Sequence, residues 1–262
     1  MANEVLLRCL DVTVRFGGIV ALDAVSFDVQ RGCIHGLIGP NGAGKTTLFN
    51  CISRLYPVQS GEILFRGNPL LSCRTHAIAP LGIARTFQNL AMFGTLSVRQ
   101  NIMVGAHCRS SGGFVATALA TREARRQERR LLLQADRIVD YLGLEAVRHT
   151  QVRDLPFGLQ KRVELGRALA CEPALLLLDE PAAGLGHEQL AGLGALIRDI
   201  RDRLGTTVLL VEHHMSLVMD TCERLTVLNF GRRIAEGTAA QVQSHPEVIA
   251  AYLGVPAHAE AA

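Results

Sequence analysis

Hydrophobic positions first recur two residues apart. Leu6, Leu10, Val12, Val14 and Phe16, with Arg8 in the same series, form a period-2 pattern that predicts a strand. Gly17-Gly18 breaks it, Val25–Val29 alternates again, and Arg31-Gly32 marks a turn. Gly61–Asn68 reads as another short strand ending in a turn, so the first third predicts a small antiparallel sheet. Cys33–Ile38 is different: a short buried strand, followed by a helix opening at Thr47–Ile52. From Asn89 to Arg167 the pattern turns helical. Its clearest helix spans Arg122–Leu142, where Leu131, Leu132, Ala135, Ile138, Val139 and Leu142 make an apolar stripe at helical spacing. The first half of that helix, Arg122–Arg130, is mostly charged and reads as a solvated face with Glu–Arg pairing, a lipid-headgroup contact being the alternative. Gly112-Gly113 marks a loop. Ala174–Leu178 is a continuous apolar run, as a parallel strand buried on both faces requires. A helix over His187–Leu204, a buried strand over Thr206–Glu212, and closing strands at Leu225–Asn229 and Arg233–Glu236 around Gly231 complete the pattern. The Ala-rich tail after Gly254, with Pro256, predicts a frayed end, and no internal repeat is visible.

Between the strand ending at Ile38 and the helix at Thr47 lies Gly39-Pro40-Asn41-Gly42-Ala43-Gly44-Lys45-Thr46-Thr47, which fits G-x-x-x-x-G-K-[ST] in the strand–turn–helix frame that this phosphate loop needs. Glycines let the backbone curl so that its N–H groups converge on phosphate oxygens, and the helix N-terminus adds the positive end of its dipole. Lys45 is placed to reach the outer phosphates and the Thr46 hydroxyl to bind Mg²⁺. A ligand-free glycine turn is the competing reading; the complete motif in its frame argues against it. The loop alone leaves GTPases, small kinases, recombinases and transport ATPases open. A second chemical cue is Leu175–Leu178 followed by Asp179-Glu180. Asp179 at the carboxyl end of the strand can hold Mg²⁺, and Glu180 can orient and deprotonate an attacking water.

Composition narrows the classes. The chain has 262 residues, enough for a full α/β core, and a net charge of +3, too mild to argue for nucleic acid. Lys45 is one of two lysines, the other being Lys161, so an ammonium stands where phosphate chemistry needs one. With no Trp and three Tyr, an aromatic base-stacking surface is not expected. Seven cysteines are scattered singly without a C-x-x-C pair, which predicts reduced thiols filling small core spaces rather than a disulfide frame or zinc site. Arg8 and Asp11 interrupt the apolar start, so no signal peptide is expected, and no apolar run reaches the roughly 20 residues of a membrane span.

With these motifs in order, the chain resembles the nucleotide-binding subunits of ABC transporters over about Val5–Gly254. The resemblance implies a P-loop NTPase (RecA-like) α/β core with a small antiparallel β subdomain and an inserted α-helical subdomain at 89–167. The whole nucleotide-binding domain would cover 1–254, with a flexible tail at 255–262. It further implies that Phe16 stacks on adenine, that Gln88 in Arg85-Thr86-Phe87-Gln88 senses Mg²⁺ and water, and that His213 contacts the γ-phosphate. His213 and His214 as a metal pair is disfavoured, since neighbours on an extended segment point to opposite sides and no third ligand is apparent. The family's L-S-G-G-Q signature, which completes the partner subunit's ATP site, reads here Leu155-Pro156-Phe157-Gly158-Leu159. Pro156 stands for serine, Phe157 for glycine and Leu159 for glutamine. Gly158 and the following helix remain, which implies a working but altered contact in trans. Gly186 stands where the next loop normally carries Asp.

Leu155–Gly158 with Gln160-Lys161-Arg162, Asp179–Leu185 and Ala251-Tyr252-Leu253-Gly254 resemble the ATPases of branched-chain amino acid importers, and the insert His107–Gln134 resembles the larger of their two ATPases. ATPases of urea or amide importers and of lipopolysaccharide export share much of this pattern. The resemblance implies a peripheral protein on the cytoplasmic face of a bacterial inner membrane. Two transmembrane permease subunits, a second ATPase subunit (a heterodimer, with a homodimer as the alternative) and, indirectly, a periplasmic substrate-binding protein would be its partners. ATP and Mg²⁺ would be its cofactors. A soluble ABC ATPase working on ribosomes or in cluster assembly is the reading from another class; ribosomal relatives usually carry two nucleotide domains in one chain, and this has one. A P-loop kinase or GTPase is opposed by the adenine-stacking aromatic and the signature.

Overall fold

The computed structural model describes residues 4–87, 92–109 and 122–253. Its strands are β1 (Val5–Phe16), β2 (Ile19–Gln30), β3 (Ile34–Ile38), β4 (Ser60–Phe65), β5 (Asn68–Pro69), β6 (Ile83–Arg85), β7 (Leu175–Asp179), β8 (Thr207–Val211), β9 (Arg224–Asn229) and β10 (Arg232–Gly237). Its helices are α1 (Lys45–Ile52), α2 (Ile78–Leu81), α3 (Val98–Ala106), α4 (Arg122–Tyr141), α5 (Phe157–Leu169), α6 (His187–Leu204), α7 (Met215–Thr221), α8 (Ala239–Gln243) and α9 (Pro246–Leu253). The chain forms two compact units, Met1–Ile78 with Leu177–Ala262, and Ala79–Leu176. Gln88, Gly112-Gly113 and the tail from Gly254 lie outside the described residues.

The first unit holds two sheets. In one, the strand order is β10-β9-β3-β8-β7. β3 pairs in parallel with β8 (Ile34↔Val208 to Leu37↔Val211) and with β9 (His35↔Arg224 to Ile38↔Val227). All five residues of β3, β7 and β8 are buried, which is why these strands read as apolar runs rather than alternations. The other sheet, ordered β2-β1-β4-β5, is antiparallel and carries the alternation seen in sequence. β2 begins at Ile19, six residues before the strand expected at Val25. Bulges in β1 between Cys9 and Phe16, one of them beside Asp11 at φ 49°, shift the register and hide the first half of β2 from a period-2 reading. The strand expected over Gly61–Asn68 is split into β4 and β5 by Arg66-Gly67, both at positive φ.

The second unit is mainly helical. Ala135, Val139 and Leu142 of the predicted stripe are buried, while Arg125, Arg126, Glu128, Arg129 and Arg130 are exposed. Ser97 caps α3 in a capping box with Gln100. The buried Asn101 amide accepts from Phe93 N–H and donates to the carbonyls of Phe93, Leu96 and Ser97, which pins the turn that leads into α3. Gly82 O accepts from both Ala174 N–H and Leu175 N–H, fixing the start of β7 against the residue before β6. Among the described residues no helix is long and apolar enough to cross a membrane.

Candidate active site

Three adjacent strands of the first unit, β3, β8 and β7, deliver the candidate residues from their carboxyl ends. β3 runs into Gly39–Thr47, β7 ends at Asp179 with Glu180 next, and β8 leads into Glu212-His213-His214. Open α/β sheets place ligands at this edge. The loop's shape is dictated by its glycines. Gly39, Gly42 and Gly44 hold φ of 149°, 78° and 102°. A Cβ on Gly39 would lie 2.1 Å from Leu228 O, and one on Gly44 would lie 2.7 Å from Ala21 O, so neither position accepts a side chain. Gly44 is the N-cap of α1 and supplies no side-chain cap, so the N–H groups of Lys45, Thr46 and Thr47 point out of the helix start. Gly231 N–H donates to Ala43 O at 3.1 Å and braces the loop from the β9–β10 turn.

Lys45 is buried, and its ammonium donates to Gly39 O at 2.7 Å and Pro40 O at 2.9 Å. Burial lowers its pKa below the ordinary lysine value, against the opposing pull of Glu180 and then Asp179. Asp179 is buried at the end of β7. Glu180 adopts φ 47°, a left-handed conformation that is costly for a side-chain-bearing residue. Its N–H donates to Val211 O at 2.9 Å and its carbonyl accepts from Ala183 N–H at 3.1 Å. Phe16 is 43% exposed at the end of β1, its ring edge-on to Tyr56 at 5.2 Å between centroids, which leaves a face for stacking.

Beyond β8 the structure corrects one expectation. The rings of His213 and His214 do not diverge; their centroids are 4.3 Å apart with 36° between planes. Glu212 joins them to make the one trio of potential metal ligands among the described residues, with ligand atoms within 4.8 Å of one another. β8 ends at Val211 and α7 begins at Met215, so both histidines lie in the connection between them and not in a strand. Glu212 spends its acceptor capacity on N–H groups instead: Ala182 N–H to Oε1, and the N–H groups of His213 and His214 and the His214 ring Nδ1 to Oε2. In sequence Glu212 only closes the predicted strand.

Gly158 belongs to the second unit, in the first turn of α5, for which Pro156 is the N-cap residue without a side-chain bond. Gln160 donates to Leu155 O at 2.8 Å and Lys161 lies 5.7 Å from the Phe157 ring centroid, which shapes the altered signature loop. Gln88 lies outside the described residues, and Phe87, next to it, donates its N–H to the buried Glu164 carboxylate of α5 at 2.9 Å.

The model of the ABC transporter family matches residues 22–183, which takes in the phosphate loop, the altered signature and Asp179-Glu180. The chain belongs to the ABC transporter family. Members of this family are ATPases, and ATP is accordingly the nucleotide of this cassette. A second family model, the branched-chain amino acid ATP-binding cassette transporter, matches residues 232–258. The high-affinity branched-chain amino acid transport ATP-binding protein LivG of Escherichia coli (strain K12) is 38% identical over 252 residues, 96% of this chain and 99% of LivG. BraF of Pseudomonas aeruginosa, named in the same way, is 37% identical over 249 residues, 95% of this chain and 98% of BraF. Among solved structures, the ADP conformation of MJ1267, an ATP-binding cassette of an ABC transporter, superposes with a TM-score of 0.83. Its sequence identity is 29%, with 95% of this chain and 99% of that one covered.

Proposed function

We propose that this chain hydrolyses ATP to power a bacterial importer of branched-chain amino acids. The observation that carries the hydrolytic part is that one sheet delivers the phosphate loop with its buried Lys45 from the end of β3 and Asp179-Glu180 from the end of β7. LivG and BraF, with the terminal match at residues 232–258, support the substrate class.

In this reading the N–H groups of Gly39–Thr47 and the Lys45 ammonium bind the phosphates, and Phe16 stacks on adenine. The Thr46 hydroxyl and Asp179 carboxylate are hard oxygen donors of the kind Mg²⁺ takes, and they would hold it together with Gln88. The ion would supply positive charge to offset that of the phosphates. Glu180 orients a water and takes its proton as the water oxygen bonds to the γ-phosphorus and the bond to the β–γ bridging oxygen breaks. His213 holds the γ-phosphate, and Gly158 of a second ATPase subunit closes the site in trans. That partner is a different, smaller ATPase, and closure of the pair pulls on two permease subunits fed by a periplasmic binding protein. The chain works on the cytoplasmic face of the inner membrane.

Uptake of radiolabelled leucine in host cells lacking this chain tests both parts. Wild type is expected to restore uptake and Glu180→Gln to fail, while purified Glu180→Gln still binds MgATP with turnover lowered at least ~10²-fold. Wild-type turnover by Glu180→Gln refutes the role of Glu180. Unimpaired leucine uptake in the deletion strain, with other leucine systems also removed, moves the substrate to urea, amides or an exported lipid.

A further inference from the structure

Glu212 is fully buried next to the site, yet the hydrolytic scheme leaves it without a task. Its two oxygens serve different segments. Oε1 accepts from Ala182 N–H at 2.8 Å. Oε2 accepts from His213 N–H at 2.9 Å and His214 N–H at 3.1 Å, and lies 3.0 Å from His214 Nδ1. The tautomer with its ring proton on Nδ1 donates across this contact to the carboxylate oxygen. The ring so fixed packs against that of His213, centroids 4.3 Å apart.

Ala182 lies two residues past Glu180 in a turn closed by Ala183 N–H to Glu180 O. Glu180 itself is held at φ 47°, a conformation that persists only where its surroundings over-determine it. Two bonds do so from the carboxyl end of β8: Glu180 N–H to Val211 O, and Ala182 N–H to Glu212. One carboxylate thus ties the turn bearing Glu180 to the segment bearing His213. Desolvating a carboxylate is costly, and an apolar residue of its size would avoid that cost while leaving three main-chain N–H groups unsatisfied.

We propose that Glu212 is a positioning residue for ATP hydrolysis, a carboxylate clamp that fixes the Glu180 turn and the His213-His214 pair as one block. The proposal rests on the hydrolytic reading above. It predicts that the clamp acts on turnover and not on nucleotide affinity, because among the described residues Glu212 bonds to Ala182, His213 and His214 and not to the phosphate loop or Phe16.

The test is steady-state ATP hydrolysis by the transporter complex purified with this chain, alongside binding of a fluorescent N-methylanthraniloyl ATP to the full chain. Wild type must turn over ATP; its failure to do so sinks the hydrolytic reading itself. Glu212→Gln keeps one acceptor oxygen, which suits the three donors on the histidine side, and turns its NH₂ toward Ala182 N–H. Its kcat is expected to fall about 10- to 100-fold, the cost of a lost charge-assisted bond or of a misplaced catalytic group, with KM and analogue affinity within about 3-fold. Wild-type kcat in Glu212→Gln overturns the proposal. Should that variant lose nucleotide binding and thermal stability together, His214→Phe decides, since it keeps a ring against His213 and removes only the Nδ1 bond. A several-fold loss of kcat at unchanged affinity then supports the clamp, and unchanged kcat overturns it.

Discussion

His35 lies in β3, fully buried, with Nε2 2.8 Å from Thr226 Oγ1 and, among the described residues, no hydrogen-bond partner for Nδ1. Burial, aided by the charge of Arg224, lowers its pKa from 6.5 to about 4. The native state therefore favours the neutral ring more than the unfolded chain does. This stability is fully present above pH 6.5 and is lost as the pH falls toward 4, in total on the order of 3 kcal/mol. His35→Gln keeps a partner for Thr226 without a titrating ring. Urea unfolding from pH 7 to pH 4 is expected to show a shallower loss of stability in His35→Gln by most of that amount; parallel curves would refute the assignment. Individual residues were unevenly legible in the sequence. The phosphate loop and Asp179-Glu180 announce themselves because each is a contiguous string with its own strand or helix context. Glu212 does not, because its meaning depends on Ala182, 30 residues earlier, arriving at hydrogen-bond distance through strand order. The convergence of the His213 and His214 rings is not legible either, because the pair lies in the connection between β8 and α7, where a strand's alternation does not apply.

Within the helical unit, α3 and α5 meet through two glycines. A Cβ on Gly105 would lie 1.9 Å from Arg167 O, and one on Gly166 would lie 2.9 Å from Leu142 Cδ1 and 3.0 Å from Ile102 Cδ1. The first contact is with main chain, which cannot rotate away; the others are with flexible side-chain ends. Gly105→Ala is therefore expected to destabilise the protein by about 1–3 kcal/mol despite alanine's better helix propensity, and Gly166→Ala by less. Thermal melting checks the order, and a stabilised Gly105→Ala would show that the two helices are not locked at this point. Helical periodicity made α4 and α6 legible, since each is long and one-sided. β6 escaped because three residues carry no period, and α7, α8 and α9 because each is short and its burial is set by neighbours rather than by its own pattern.

For the chain as a whole, the question is what would hold it at a membrane. Among the described residues no helix can span a bilayer. Among the described residues a basic stretch with exposed side chains lies on α4, at Arg125, Arg126, Arg129 and Arg130. At about 1 kcal/mol per arginine beside an anionic surface, four would supply about 4 kcal/mol, a Kd near ~1 mM that falls further with salt. Headgroup attraction alone is thus too weak for stable retention. A protein docked on permease subunits behaves differently, because its retention depends on a protein surface and not on lipid charge. Fractionation is expected to find the chain in the membrane pellet only when its permease genes are co-expressed, and in the supernatant otherwise. Replacing the four arginines by glutamine should leave that pattern unchanged. Pelleting without the permease, abolished by the glutamine replacements, would assign membrane attachment to α4 and overturn the argument from magnitudes.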